Sequence, residues 1–450
     1  MDTIIHKTKI GNFTGNKYAD AYEFLAIPYA RAKRFEYCQR IDEYKDFDAT
    51  KMGNCCPQIR CYHPHYEKPE RMFYFKEFRE GFDFKYDEDC LNLNIYTPIN
   101  AKKCPVIIYF HGGGFNSGSN VEEPFRGFEL AKRGIITVFA NYRVGVLGYF
   151  CHEEIQKQFN RNGNFGQDDQ LQAIKWVKNH IEEFGGDSNN ITLLGQSAGA
   201  ISIQYHCLNF DNKDLFQRAA MMSGGGMFPK FALPKKADET YDYWLEFMDI
   251  AGCKSFEEFK NIDVKILHDA YEIIRNKRND SMSNMAPVID GYLLKDNVDR
   301  LINNPLKIDY MLGYTNTDLY APIMAYIANR FAKDNGAYVY FFNIDSPGDN
   351  NGAFHSCDLR YMFGRLDNSW RPFRQRDREV SIQMMDYLCN FARSGNPNDS
   401  NLPKWNMTDK NNSKVLCFNF NDTKMSKASY LRLTINMLKK GNEPRYEIQS

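Results

Sequence analysis

Short apolar runs and segments of helical periodicity alternate along most of the chain. Residues 104–110 (CPVIIYF), 134–140 (GIITVFA) and 191–194 (ITLL) are apolar without polar alternation, the pattern of strands covered on both faces. Between the last two, Leu171, Ile174, Val177 and Ile181 recur at helical spacing over residues 169–184, and Gly185-Gly186 supplies the glycine that commonly ends a helix. Residues 309–312, 337–342 and 414–420 read as further strands. Strands alternating with helices predict an α/β architecture, a large and mostly parallel central sheet with helices on both faces. Residues 228–305 break this rhythm. They are polar and helical in pattern, with no strand of comparable strength, and are expected to form cap-like helical insertions.

A length of 450 residues leaves room for two domains. No repeat, low-complexity tract or Pro/Gly/Ser-rich linker divides the chain, and open sheets can reach about 8–15 strands. Residues 1–450 are therefore expected to form a single domain. Lys plus Arg number 57 against 57 Asp plus Glu, so no basic excess points to nucleic acid. No run approaches the roughly 18 apolar residues of a membrane span. The chain opens MDTIIHK, without the basic and apolar stretches of a secretory signal, and it carries 12 cysteines. Reduced thiols in a cytoplasmic protein are expected. Cys55, Cys56 and Cys61 lie close in sequence, but no second Cys/His group answers them, so neither a metal nor another cofactor is expected.

Candidate chemistry lies at the ends of predicted strands. Gly195-Gln196-Ser197-Ala198-Gly199 follows the strand 191–194 directly and precedes a helical pattern over 198–207. A tight strand-to-helix turn crowds the backbone on both sides of its central residue, and the two glycines remove the side chains that would collide. The serine is left projecting beside a helix N-terminus whose free N–H groups favour developing negative charge. On these five residues alone, a glycine-flanked surface turn is the alternative. His111-Gly112-Gly113-Gly114-Phe115 follows the strand 104–110 in the same way. Three consecutive glycines can turn backbone N–H groups toward a substrate oxygen, as acyl transfer through a tetrahedral oxyanion requires. Both motifs at strand ends point to a serine hydrolase.

A nucleophile on such an elbow is followed in the chain by an acid and then a histidine. His206, His268 and His355 follow Ser197. The first lies in the helix after the elbow and the second in the polar helical region. His355 has a loop setting behind a strand, which makes it the candidate base. For the acid, Asp318 follows the strand 309–312, while Asp290 and Asp309 remain alternatives on spacing alone.

The chain resembles the type-B carboxylesterases of the cholinesterase/carboxylesterase-lipase family, and its bacterial para-nitrobenzyl-esterase-like members more than animal cholinesterases. The likeness runs in order through FLAIPYA (24–30), EDCLNLNIYTP (88–98), NYRVG (141–145), GNFG (163–166) with Asp169-Gln170, FGGD (184–187), PVIDG (287–291) and FARSGNP (391–397). It implies an α/β-hydrolase fold and hydrolysis of carboxylic esters through an acyl-enzyme. Ser197 matches the family's nucleophile. Gly113, Gly114 and Ala198 match the oxyanion-hole donors, and His355, in AFHSCDL, matches the base. Asp318 falls where the family carries its acid, usually glutamate, which places Asp290 in a different, structural motif. The resemblance also implies a disulfide between Cys56 and Cys90, set against the reduced thiols expected above. It marks Arg34 with Glu88, and Arg143 with Asp169, as structural ion pairs.

The departures are Gln196, where glutamate is common, the aspartate at 318, and the interval of 37 residues from Asp318 to His355. Relatives usually have dozens more residues in that interval. A shallower site, or one completed by another subunit, is expected from its brevity. The expected partner is a small-molecule ester of short-to-medium acyl length with apolar groups, Phe115 lining its site, in a monomer or homo-oligomer. Rival readings are an amidase or drug-ester hydrolase on the same fold, which pocket shape would decide, and a non-catalytic cholinesterase-like binding protein.

Overall fold

Successive side chains of a strand point to opposite faces, so a wholly apolar strand needs a layer on each side. The computed structural model describes residues 2–62, 72–225, 234–278, 284–302, 304–318, 331–332 and 335–427, and it supplies both layers. Strands β1 (Asp2–Thr8), β2 (Gly11–Lys17) and β3 (Ala21–Pro28) form an antiparallel meander. Strands β4 (Ala30–Arg31) and β5 (Gln39–Arg40) pair apart from it, and β6 (Asp46–Asp48) joins β2. The rest are β7 (Asn92–Pro98), β8 (Cys104–Phe110), β9 (Ile136–Ala140), β10 (Gly186–Gln196), β11 (Arg218–Met222), β12 (Asp309–Thr315), β13 (Tyr338–Asn343), β14 (Lys414–Asn419) and β15 (Thr423–Lys427). Together they complete a 13-stranded sheet ordered β1-β2-β3-β7-β9-β8-β10-β11-β12-β13-β14-β15. Neighbours from β9 through β14 are parallel, and β7 and β15 flank this block antiparallel.

The two faces divide residue by residue along β8. Val106, Ile108 and Phe110 bury against Ile174, Trp176 and Val177 of the helix Phe165–His180. Ile107 and Tyr109 bury on the other face with Leu388 and Phe391 of the helix Gln375–Ser394. Each such side chain contributes about 1.5–3 kcal/mol by leaving water. The expected strand at 104–110 has those limits, whereas 191–194 is only the buried centre of the 11-residue β10. The expected helix 169–184 starts earlier, at Phe165, and closes in a 3₁₀ turn, Ile181–Phe184, capped by Gly185 at φ 85°.

Within 228–305 lie the helices Tyr241–Ile250, Phe256–Asn261, Val264–Arg278 and Val298–Leu301. Residues 228–233, 279–283 and 303 of that segment lie outside the described residues. Trp244, Phe247, Phe259 and Leu267 bury into the same core as the helix Phe165–His180.

Because β8, β10, β12 and β13 run parallel, their C-terminal ends share one edge of the sheet, where ligands of open α/β sheets bind. One glycine inside this block is required by a neighbour. Gly313 pairs with Tyr340 across β12 and β13, and a Cβ at 313 would fall within the tyrosine ring. The Gly313→Ala variant is expected to lose about 1–3 kcal/mol by displacing that ring, read as a lower urea midpoint with an unchanged slope.

Candidate active site

Strand β10 delivers its last residue, Gln196, straight into Ser197 and the helix Ala198–Leu208. Ser197 stands at φ 54° and ψ −124°, backbone space that residues with a Cβ rarely enter. Neighbours hold it there. Its N–H donates to Met222 O at the end of β11 (2.8 Å), and its carbonyl accepts from Ile201 N (3.0 Å). The flanking glycines answer close approaches of backbone. A Cβ at Gly199 would strike Phe110 O, and one at Gly195 would lie 2.7 Å from the Gly199 carbonyl.

The glycine triplet packs beside this elbow, since a Cβ on Gly112 would stand 2.9 Å from Ser197 Cβ. Gly113 and Gly114 both have positive φ (118° and 61°), and Gly113 O accepts from Asn116 N and Ser117 N at 3.0 and 3.1 Å. These bonds turn the loop back on itself with its N–H groups left for other partners. Among the described residues no backbone carbonyl accepts from Gly113, Gly114 or Ala198. Phe115, expected to line the site, is 2% exposed and packs edge-on to Tyr149 (5.4 Å) and against Ala198 beside the elbow.

His355 and Asp318 meet across this edge. His355 Nδ1 lies 2.6 Å from Asp318 Oδ1, with the aspartate side chain 2% exposed and the imidazole 36% exposed. The other carboxylate oxygen, Oδ2, accepts from Thr315 N at 2.8 Å, which ties the acid to the end of β12. With Nδ1–H donating to Asp318, Nε2 carries the lone pair. The Gln196 amide donates to it at 3.0 Å. Glutamine at 196 thus brings a neutral donor to the ring nitrogen nearest the elbow, a contact that sequence alone does not reveal.

The other candidates are placed elsewhere. His206 is buried between Gln167 and Gln170, and burial lowers its pKa to about 3. His111 stacks on Tyr142 at 4.3 Å and is held neutral by burial, its pKa lowered to about 4. His268 is buried in the helix Val264–Arg278. Asp290 Oδ1 accepts from the N–H groups of Tyr292, Leu293 and Leu294 and closes its own turn. Asp309 begins β12, at the opposite end from Thr315, beside Arg218. Arg143 binds Asp169 through Nε and Nη2 (2.8 and 2.7 Å), and Arg34 grips Glu88. Cys56 and Cys90 are free thiols in hydrogen-bonding contact. Residues 319–330 and 333–334, within the short interval from which a shallower site was expected, lie outside the described residues.

A second carboxyl stands behind the pair. Asp358, fully buried, accepts from Tyr340 Oη at 2.8 Å. Burial pushes its pKa up to about 7, and the nearby Asp318 charge adds to the rise. It lies within the AFHSCDL motif, where a carboxylate three residues after the base candidate is its one signal in the sequence. Because its folded pKa exceeds the unfolded value of 3.8, the folded chain holds this proton more tightly. The resulting stability is full below about pH 4 and is lost as pH rises toward 7. Asp358→Asn removes that loss. Relative to the native chain it is expected to gain roughly 2–4 kcal/mol between pH 4 and pH 8, measured from urea midpoints at both values.

A family model described as "Carboxylesterase family" matches residues 2–335 and 317–434. Mouse (Mus musculus) bile salt-activated lipase is 30% identical over 481 residues, covering 84% of this chain and 76% of that protein. Mouse cholinesterase is 32% identical, over 74% of this chain and 58% of its own length. Among solved structures, a PNB esterase superposes with a TM-score of 0.82 at 21% identity, covering 96% of this chain and 98% of the other. An esterase from Clostridium hathewayi that can hydrolyse aliphatic aromatic polyesters gives 0.80 at 20% identity, covering 96% and 98%. The sheet and its helices are those of the α/β-hydrolase fold these esterases share. The chain belongs to the carboxylesterase family and is a carboxylic ester hydrolase.

Proposed function

We propose that Ser197 is the nucleophile, His355 the general base and Asp318 the acid that orients it, with the N–H groups of Gly113, Gly114 and Ala198 holding the oxyanion. The observation that carries this reading is the meeting of the Asp318–His355 pair (2.6 Å) with the strained serine turn, bridged by Gln196. Neutral His355 takes the Ser197 proton at Nε2 as the serine oxygen attacks the ester carbonyl. The tetrahedral oxyanion forms against the three amides, and its collapse expels the alcohol, which takes the proton from the imidazolium. Water then attacks the acyl-enzyme with the same base, releasing the acid and restoring the serine. Asp318 keeps its charge throughout and stabilises the imidazolium.

Esters with apolar groups fit the aromatic surroundings of the elbow, in keeping with the polyesters hydrolysed by the Clostridium hathewayi enzyme. The free thiols of the described cysteines agree with a cytoplasmic setting.

On p-nitrophenyl esters, Ser197→Ala is expected to lower turnover by about four to six orders of magnitude; unchanged turnover would refute the assignment. Matching anilides run in parallel separate esterase from amidase activity. Since the base acts only when neutral, kcat/KM should rise through about pH 6–7. Gln196→Glu sets a carboxylate beside the ring and favours its protonated form, so that rise should move up by about one pH unit, as a full pH–rate profile will record.

A further inference from the structure

The acid is tied to a strand, but the base is not. Asp318 is fixed by Thr315 at the end of β12, whereas His355 lies on the irregular segment between β13 and the helix Asp358–Met362. Thr317, just past β12, donates to Ala353 O two residues before the base (N–H 3.1 Å, Oγ1 2.7 Å), and the rest of the support comes from elsewhere in the chain. The helix Met72–Phe78, which comes from the excursion between β6 and β7, lies directly against that segment.

Three sets of contacts join the two. Tyr74 Oη donates to the backbone carbonyl of His355 itself at 3.1 Å, across 281 residues of sequence. The preceding residue, Phe354, is held edge-on by the rings of Phe73 (5.0 Å) and Tyr74 (5.7 Å), with the Arg371 guanidinium 5.0 Å from its centre. Glu77, only 2% exposed, accepts from both Arg360 (2.7 Å) and Arg371, which follow the base. Arg371 also reaches Asp349, ahead of the base, at 2.6 Å. A single buried carboxylate thus gathers the segment on both sides of His355. Burying these charges gains little stability over apolar packing, because desolvation offsets the attraction. What such a network supplies is one geometry.

We infer that the helix Met72–Phe78 is a strap that sets the position of the base, with Tyr74 and Glu77 as its positioning residues. The inference rests on His355 being the base. If the strap slackens, Nδ1 drifts from Asp318 and the imidazolium loses its partner. A sub-ångström to ångström displacement of this kind can cost up to about 100-fold.

The test compares Tyr74→Phe and Glu77→Gln with the native chain on one p-nitrophenyl ester, with Ser197→Ala and His355→Ala as references. Both strap variants should lose about 3- to 30-fold in kcat with KM within about twofold, and the acidic limb of kcat/KM should move to lower pH. Glu77→Gln leaves two guanidinium groups short of a partner and can fail to fold. Tyr74→Phe removes one hydroxyl and keeps the ring, so it decides the matter on its own. If Tyr74→Phe keeps kcat within twofold and the same acidic limb, the strap has no positioning role. Full turnover in Ser197→Ala or His355→Ala would instead overturn the underlying mechanism.

Discussion

Ser197 is held with φ at 54° between a strand that ends and a helix that begins, a conformation that persists only where its surroundings over-determine it. Three neighbours do so. Met222 at the end of β11 takes its N–H, Phe110 at the end of β8 leaves no room for a side chain at Gly199, and Gly112 lies so close that a Cβ on it would crowd the serine's own. Remove any of these and the serine can relax into ordinary helix or loop geometry. The glycine loop beside it and the imidazole across from it would then address an empty position. The other site residues matter because this one is fixed.

Much of that arrangement could be read from the chain. Buried parallel strands advertise themselves as unbroken apolar runs, which is why β8 was legible residue for residue and β10 through its core. The elbow and glycine-triplet motifs were legible because their chemistry depends on missing side chains, and absence of Cβ is written directly in sequence. Strand β11, with the sequence RAAMM, was not. It holds no β-branched residue, and only its neighbours on both sides make it a strand. The first two N-terminal strands escaped for a related reason, β1 being largely exposed and polar and β2 interrupted by glycine and asparagine. Residue pairs were harder still. Asp318 could be selected over Asp290 and Asp309 only by likeness to relatives, since all three are aspartates near predicted strands or turns and their burial, which differs, is not written in the sequence.

The ionisable groups differ in physical purpose. Arg143 pairs with Asp169 of the helix Phe165–His180 and Arg34 with Glu88, each joining stretches distant in sequence. The group around Glu77 and Glu123 instead binds three arginines, at 360, 365 and 371, that surround the histidine loop. The guanidinium groups of Arg360 and Arg371 each span partners from separate stretches of the chain. Asp358 is a third case, a carboxyl kept neutral over much of the acidic range by burial beside another acid, with one tyrosine hydroxyl for company.

The helix Met72–Phe78 touches a carbonyl 281 residues further on, and the elbow lies between the two in the chain. Contacts of such separation are slow to form, because a long loop must be ordered before any of them repays its entropy. The sheet around β8 and β10 can assemble from residues that are near one another in sequence. The histidine loop gains its outer support only when the two ends of the chain have come together. Native-like secondary structure is thus expected to precede catalytic competence during folding, and a nascent chain would remain inert until its C-terminal third has docked.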